Sequence, residues 1–74
     1  MRKQIHIHGV QSIQALTHAA CAWADDIRVT DGFGDVANAK SILGMLRLDY
    51  SRPVQISSGN PAAVQCLCHA LGVG

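Results

Sequence analysis

Three short segments of the chain, at residues 3–8, 26–30 and 54–57, alternate strictly between apolar and polar side chains. In each segment the apolar side chains share one face, which is typical of a β-strand that is buried on one side only. A weaker strand at residues 36–38 follows the turn dipeptide Asp31-Gly32 and completes a hairpin. Four strands of this kind need cover on a single face, so the pattern predicts an open-faced sheet with helices on that face.

Three further segments follow a helical period. The first runs from a predicted N-cap at Ser12 to Ala24, and the second follows a predicted N-cap at Ser41. The third starts at Asn60-Pro61 and is predicted to end at Gly72 in the left-handed conformation. The predicted apolar stripes are Ile13, Leu16, Ala19, Ala20 and Trp23; then Ile42, Met45 and Leu46; then Val64, Leu67, Cys68 and Leu71.

The predicted order is therefore β-α-β-β-α-β-α. This is an α+β fold, an open-faced β-sandwich in which a four-stranded antiparallel sheet carries three helices on one face. Residues 1–74 are expected to form one domain, because 74 residues are too few for two. The pattern leaves the order of the strands in the sheet open.

Composition excludes several classes of protein. No apolar run approaches the roughly 20 residues of a membrane helix, and the basic N-terminus lacks the apolar region of a signal peptide. A net charge of +1 with 15% charged residues is not the footprint of a nucleic-acid-binding protein. Three cysteines, an odd number, argue against a disulfide framework and favour a reducing cytoplasm.

Two groups of residues have the ligand types of a metal site, but their number or spacing argues against metal binding. His6 and His8 share one strand face, but two ligands are too few for structural zinc, so they are assigned to the exposed polar face of the sheet. Cys66 and Cys68 lie about 200° apart on a helix and cannot converge on one ion. We therefore expect no metal and no cofactor.

The run Asn-Ala-Lys-Ser-Ile-Leu-Gly-Met at residues 38–45, together with the order of the elements, resembles HPr, the histidine-containing phosphocarrier protein of the bacterial sugar phosphotransferase system. Members of that family carry Gly-Leu-His-x-Arg-Pro-Ala at the start of the first helix. Residues 9–15, Gly-Val-Gln-Ser-Ile-Gln-Ala, match this motif, and they place Gln11 at the phosphorylated histidine and Ile13 at the arginine. Since an amide is not a nucleophile, no phosphoryl relay through Gln11 is expected, and no enzyme activity.

A narrower resemblance is to the catabolite-repression branch of the family, Crh, which also has glutamine in place of the histidine. The resemblance implies that Ser41 is phosphorylated by HPr kinase/phosphorylase and that the phosphorylated form binds a transcription regulator or another protein of the phosphotransferase system. The docking residues would be Ile42, Met45, Ser12 and Gln11. The protein would be a cytoplasmic monomer or weak homodimer, without direct contact to nucleic acid or membrane.

Two alternatives remain open. The chain could be a phosphocarrier that uses another histidine, and His8 is the candidate because it lies close to the start of the first helix. It could also be a structural or dimerising module that retains the fold alone. In that case an exposed apolar patch around Ile13, Ile42 and Met45 would form the contact.

Overall fold

A computed structural model describes residues 2–71 of the chain. The strands are β1 (Arg2–Ile5), β2 (Ile27–Thr30), β3 (Val36–Asn38) and β4 (Val54–Ser58). The helices are α1 (Gly9–Cys21), α2 (Ile42–Met45) and α3 (Pro61–Ala70). The predicted order β-α-β-β-α-β-α is confirmed. The predicted C-terminal residue of the last helix, Gly72, lies outside the described residues.

The four strands form one sheet in the order β1-β4-β2-β3, and every neighbouring pair is antiparallel. β4 therefore lies between β1 and β2, although it follows both in the chain. Ile5 pairs with Val54 and Val29 pairs with Ile56, which aligns the apolar residues of three strands on one face. The helices pack on this face, with α1 against α3 and α2 against β3.

The first strand is shorter than the alternation suggested. β1 ends at Ile5, because the next position on β4 would be Pro53, which has no N–H to donate to a ladder. The chain nevertheless remains extended as far as His8, whose φ is −120° and ψ is 110°. Ile7 is accordingly buried while His6 and His8 stay exposed, so the alternation holds beyond the paired strand.

The predicted start of the first helix is wrong. α1 begins at Gly9, with His8 at the N-cap, and Ser12 lies inside its first turn. The Ser12 hydroxyl donates to the backbone carbonyl of His8 at 2.9 Å instead of accepting from the helix. The earlier start depends on Gly9, whose φ of +81° is a left-handed value that other residues adopt only at a cost.

The end of α1 also differs from the prediction. The helix stops at Cys21 rather than Ala24, and the N–H of Trp23 bonds to the carbonyl of Ala20 in a tightened last turn. Trp23 still packs against the core from outside the helix, as the stripe required.

The second helix is a single turn, and part of its predicted apolar stripe is wrong. Leu46 follows the last residue of α2 and is 48% exposed, whereas Leu48 is buried in its place. The helix ends in a tightened turn, in which the N–H of Arg47 bonds to the carbonyl of Gly44. Glycine at residue 44 also disfavours a longer helix. The third helix agrees with its prediction: Asn60 accepts from the N–H of Ala62 at 3.0 Å, and Pro61 occupies the first position.

The core is aliphatic and lies between the sheet and the helices. Its largest fully buried members are Leu16, Ile27, Met45, Ile56, Leu67, Val29, Val54, Val64 and Cys68. None of the helices described within residues 2–71 covers the opposite face of the sheet, where Arg2, Gln4, Arg28 and Asn38 are exposed.

Candidate functional site

Gln11 lies in the first turn of α1, three residues after the N-cap, with its side chain exposed. Neither a histidine nor an acidic residue occurs in this first turn. An exposed amide at this position can donate and accept hydrogen bonds, but it cannot form a covalent phosphoryl intermediate. The start of α1 is therefore a surface without a nucleophile at residue 11.

Ile13 is part of the core, with 5% of its surface exposed. It lies on the same helical stripe as Leu16 and Ala20, both fully buried. An arginine at this position could not reach solvent without disturbing that packing, and the isoleucine provides no positive charge for a phosphoryl group. Ser12, predicted to dock a partner, is half-buried, and its hydroxyl is already bonded to the His8 carbonyl.

Ser41 is the N-cap of α2, as predicted. Its hydroxyl oxygen accepts from the N–H of Gly44 at 3.3 Å, and the residue is exposed to solvent. The preceding turn is held by the Asn38 side chain, which accepts from the N–H of Lys40 at 2.9 Å. Because α2 has only four residues, its macrodipole adds little to anion binding at Ser41.

The surroundings of Ser41 carry charge. Ser41 and Arg47 line an open groove of about 490 Å³ between β3 and α2, which Asp35 also lines. Lys40 precedes Ser41 in the chain and is half-buried. One cation, Arg47, and one carboxylate, Asp35, thus share the groove with Ser41.

The predicted docking residues divide into exposed and buried ones. Met45 is 0% exposed, so its assignment to a docking surface is wrong: it faces the core, and Ile42 is only half-exposed. The prediction of an exposed apolar patch around Ile13, Ile42 and Met45 is also wrong, because Ile13 and Met45 are buried. The exposed large apolar residues in and directly after α2 are instead Leu43, at 75%, and Leu46, at 48%.

Leu43 and Leu46 are three residues apart, a spacing that places side chains on the same side of a helical turn. We call these two residues the α2 leucine pair. Sequence reasoning missed Leu43, although a signal was present: it is a large apolar residue off the apolar stripe of its helix. Val10, 54% exposed, provides a further apolar surface beside Gln11.

Asp31 holds the loop that follows α2 against the β2–β3 turn. The residue is buried, and its carboxylate accepts from the N–H groups of Phe33 at 2.9 Å, Asp35 at 3.0 Å and Asp49 at 3.1 Å. Burial opposes ionisation, but hydrogen bonds from Asp49, Phe33, Asp35 and Gly34 outweigh it and lower the pKa of Asp31. The sequence indicated only a turn at this residue.

Tyr50 attaches the same loop to α2. Its hydroxyl donates to the backbone carbonyl of Met45. Burial, with a contribution from the negative charge of Asp31, raises the pKa of Tyr50 to about 12. Asp31 and Tyr50 together position the segment that carries the α2 leucine pair.

The cysteines and His8 were the remaining residues considered as metal ligands or as a phosphoacceptor. Cys68 is buried in the core, as predicted, while Cys21 and Cys66 are exposed. Within residues 2–71 no group of three or more His, Cys, Asp or Glu side chains could hold a metal ion. His8 is exposed at the N-cap of the 13-residue helix α1, and its side chain makes no capping hydrogen bond.

Comparison with solved structures places this arrangement in a known fold. The crystal structure of HPr-C-His from Thermoanaerobacter tengcongensis superposes with a TM-score of 0.79, covering 97% of this chain and 96% of that one at 22% sequence identity. The fold is that of HPr. No protein-family model matches the chain, and no curated protein matches it either. None of the helices within residues 2–71 is both long and apolar enough to cross a membrane.

Proposed function

We propose that the chain is a regulatory relative of HPr in which phosphorylation of Ser41 replaces histidine phosphorylation as the switch. The observation that carries this proposal is the exposed Ser41 hydroxyl in a groove that it shares with Arg47. A kinase needs an accessible hydroxyl, and a phosphate at this position gains charge-assisted hydrogen bonds from a nearby guanidinium. The HPr fold supports the assignment to a protein related to the phosphotransferase system.

The start of α1 supports a regulatory role over a carrier role. Gln11 provides no nucleophile, and Ile13 is buried where the matched motif of HPr has an arginine. The chain keeps the element order of a phosphocarrier without the groups that would carry the phosphoryl group at this position. On this reading the protein acts in the cytoplasm, where the kinase and ATP are present.

The α2 leucine pair is the surface we propose for the partner. Phosphorylation adds a charge of about −1.5 to −2 to a chain with a net charge of +1. Exposed Leu43 and Leu46 follow Ser41 closely in the chain, so a partner that binds the phosphate with basic side chains can bury both leucines. The expected partners are an HPr kinase/phosphorylase and a transcription regulator or another protein of the phosphotransferase system.

The test is phosphorylation by HPr kinase/phosphorylase and ATP, followed by intact-mass measurement. We expect a mass increase of one phosphoryl group in the wild type and in Ser51→Ala, which removes another exposed serine. Ser41→Asn should gain no mass while it keeps the helix cap, because asparagine is as good an N-cap as serine. The proposal fails if the wild type gains no mass while an HPr in the same tube is phosphorylated.

A second candidate is a phosphocarrier that uses His8. The observation in its favour is the position of His8 at the N-cap of α1, exposed and with no side-chain hydrogen bond to the helix. A phosphoryl group on this ring would lie near the unpaired N–H groups of the first turn. Incubation with enzyme I and phosphoenolpyruvate should then give acid-labile phosphate that His8→Ala abolishes and His6→Ala retains; the absence of such phosphate excludes it.

A further inference from the structure

His6 and His8 form a stacked pair on the uncovered face of the protein. Their ring centroids are 5.7 Å apart and the ring planes differ by 4°. Both residues are exposed, and the intervening Ile7 is buried, so the two rings leave the backbone on the same side. They continue the row of Arg2 and Gln4, which are also exposed, so this side is open to solvent.

The ring nitrogens of the pair are not engaged elsewhere in the described chain. Neither imidazole has a hydrogen bond or an ion pair with any of residues 2–71. The backbone that carries the rings is anchored at both ends, by pairing of Ile5 with Val54 and by the start of α1 at Gly9. The backbone that carries the pair is thus fixed at both ends, and the imidazole nitrogens are available to bind a ligand.

The separation of the rings is suited to chelation after a small movement. Two imidazole nitrogens that bind one ion at about 2.0–2.1 Å with tetrahedral geometry lie roughly 3.3 Å apart. Rings with centroids 5.7 Å apart reach this separation when they tilt towards each other about their side-chain bonds. Both rings are exposed, so packing does not oppose that rotation.

We propose that His6 and His8 together bind one divalent transition-metal ion, with water in the remaining coordination positions. Imidazole is a preferred ligand of Cu²⁺, Ni²⁺ and Zn²⁺, and affinity rises from Ni²⁺ to Cu²⁺. A structural zinc site needs four protein ligands and is not what this pair forms. The site is a two-ligand, exchangeable one, and it is independent of phosphorylation at Ser41.

The test is calorimetric titration of the full chain with Ni²⁺, which avoids copper-driven oxidation of the exposed thiols. We expect one ion per chain, and a loss of affinity of roughly tenfold or more in both His6→Gln and His8→Gln, because each removes the chelate. His18→Gln and His69→Gln change the other two histidines and should bind as the wild type does.

A second titration uses the Cys21→Ser/Cys66→Ser variant, which lacks both exposed thiols. Retained binding in this variant supports the histidine site, and loss of binding overturns it. The proposal is also overturned if His6→Gln and His8→Gln bind Ni²⁺ as the wild type does. One ion per two chains with a doubled mass in light scattering likewise contradicts it. Far-UV circular dichroism checks that each variant is folded.

Discussion

The carboxylate of Asp31 accepts a hydrogen bond from the backbone N–H of Asp49 at 3.1 Å, across 18 residues of chain. The other oxygen of this carboxylate accepts from Phe33 and Asp35 within the β2–β3 turn. One side chain therefore connects the hairpin turn to the loop that follows α2. This connection sets the position of the segment between Ser41 and β4, which carries the proposed switch and docking surface.

Asp31→Asn is expected to destabilise the protein, with a fall of several degrees in the midpoint of thermal unfolding. The amide cannot present an acceptor oxygen on both sides, so at least one of the three N–H groups of Phe33, Asp35 and Asp49 loses its partner. Asp35→Asn is the matched control, because it alters an exposed carboxylate in the same turn. Equal midpoints for the two variants, measured by differential scanning calorimetry, would contradict this role of Asp31.

Acid should destabilise the protein in part through the same carboxylate. Hydrogen bonding to Ser51 lowers the pKa of Asp49 as well, so both carboxyls are more acidic folded than unfolded, where the ordinary value is 3.8. The stability they contribute is present above that value and is lost as the pH falls towards the lowered values. In urea titrations, the stability difference between wild type and Asp31→Asn should shrink below pH 4; a constant difference would count against the lowered pKa.

We expect ionisation of Tyr50 to lower the free energy of unfolding at alkaline pH. Its pKa is raised from 10.0 to about 12, so its contribution to stability is complete below pH 10 and is lost as the pH rises through about 12. Tyr50→Phe should lack this component and should cost about 1 kcal/mol at neutral pH for the hydrogen bond to Met45. Urea unfolding of both proteins across this pH range measures the effect. If the free energy of unfolding falls equally with pH in both, Tyr50 does not contribute to the alkaline loss of stability.

Gly9→Ala should destabilise the protein by about 1–2 kcal/mol, because the φ of +81° at this residue is unfavourable for a residue with a Cβ. The cost is conformational rather than steric, since no atom lies within 4 Å of the position of an added Cβ. Gly59→Ala is the control: its surroundings are equally open and its φ is not positive. Chemical unfolding should separate the two variants, and identical free energies of unfolding would refute the strain at Gly9.

Substitutions at Met45 and Leu43 distinguish a role in core packing from a role in partner binding. Met45→Ala should cost about 2–5 kcal/mol, since the side chain is fully buried in the core. Leu43→Ala should change the free energy of unfolding by less than about 0.5 kcal/mol, because that side chain is largely exposed. In a binding assay with the phosphorylated protein, Leu43→Ala should weaken partner affinity; unchanged affinity would exclude Leu43 from the interface.

The sequence by itself determined the element order, the buried faces of β1, β2 and β4 and the caps at Ser41 and Asn60. These features follow from alternation, helical period and local capping chemistry, all of which act over a few neighbouring residues. That residue 11 is a glutamine is also read directly from the sequence, whereas its correspondence to the histidine of the HPr motif stays a prediction.

Only the tertiary structure decided the strand order β1-β4-β2-β3, which depends on pairings between residues far apart in the chain. It also decided that α1 starts at Gly9 rather than after Ser12, and that Met45 is buried while Leu43 and Leu46 are exposed. In a one-turn helix the period is too short to define a face, so contacts with β3 and the loop held by Asp31 determine which side chains reach solvent.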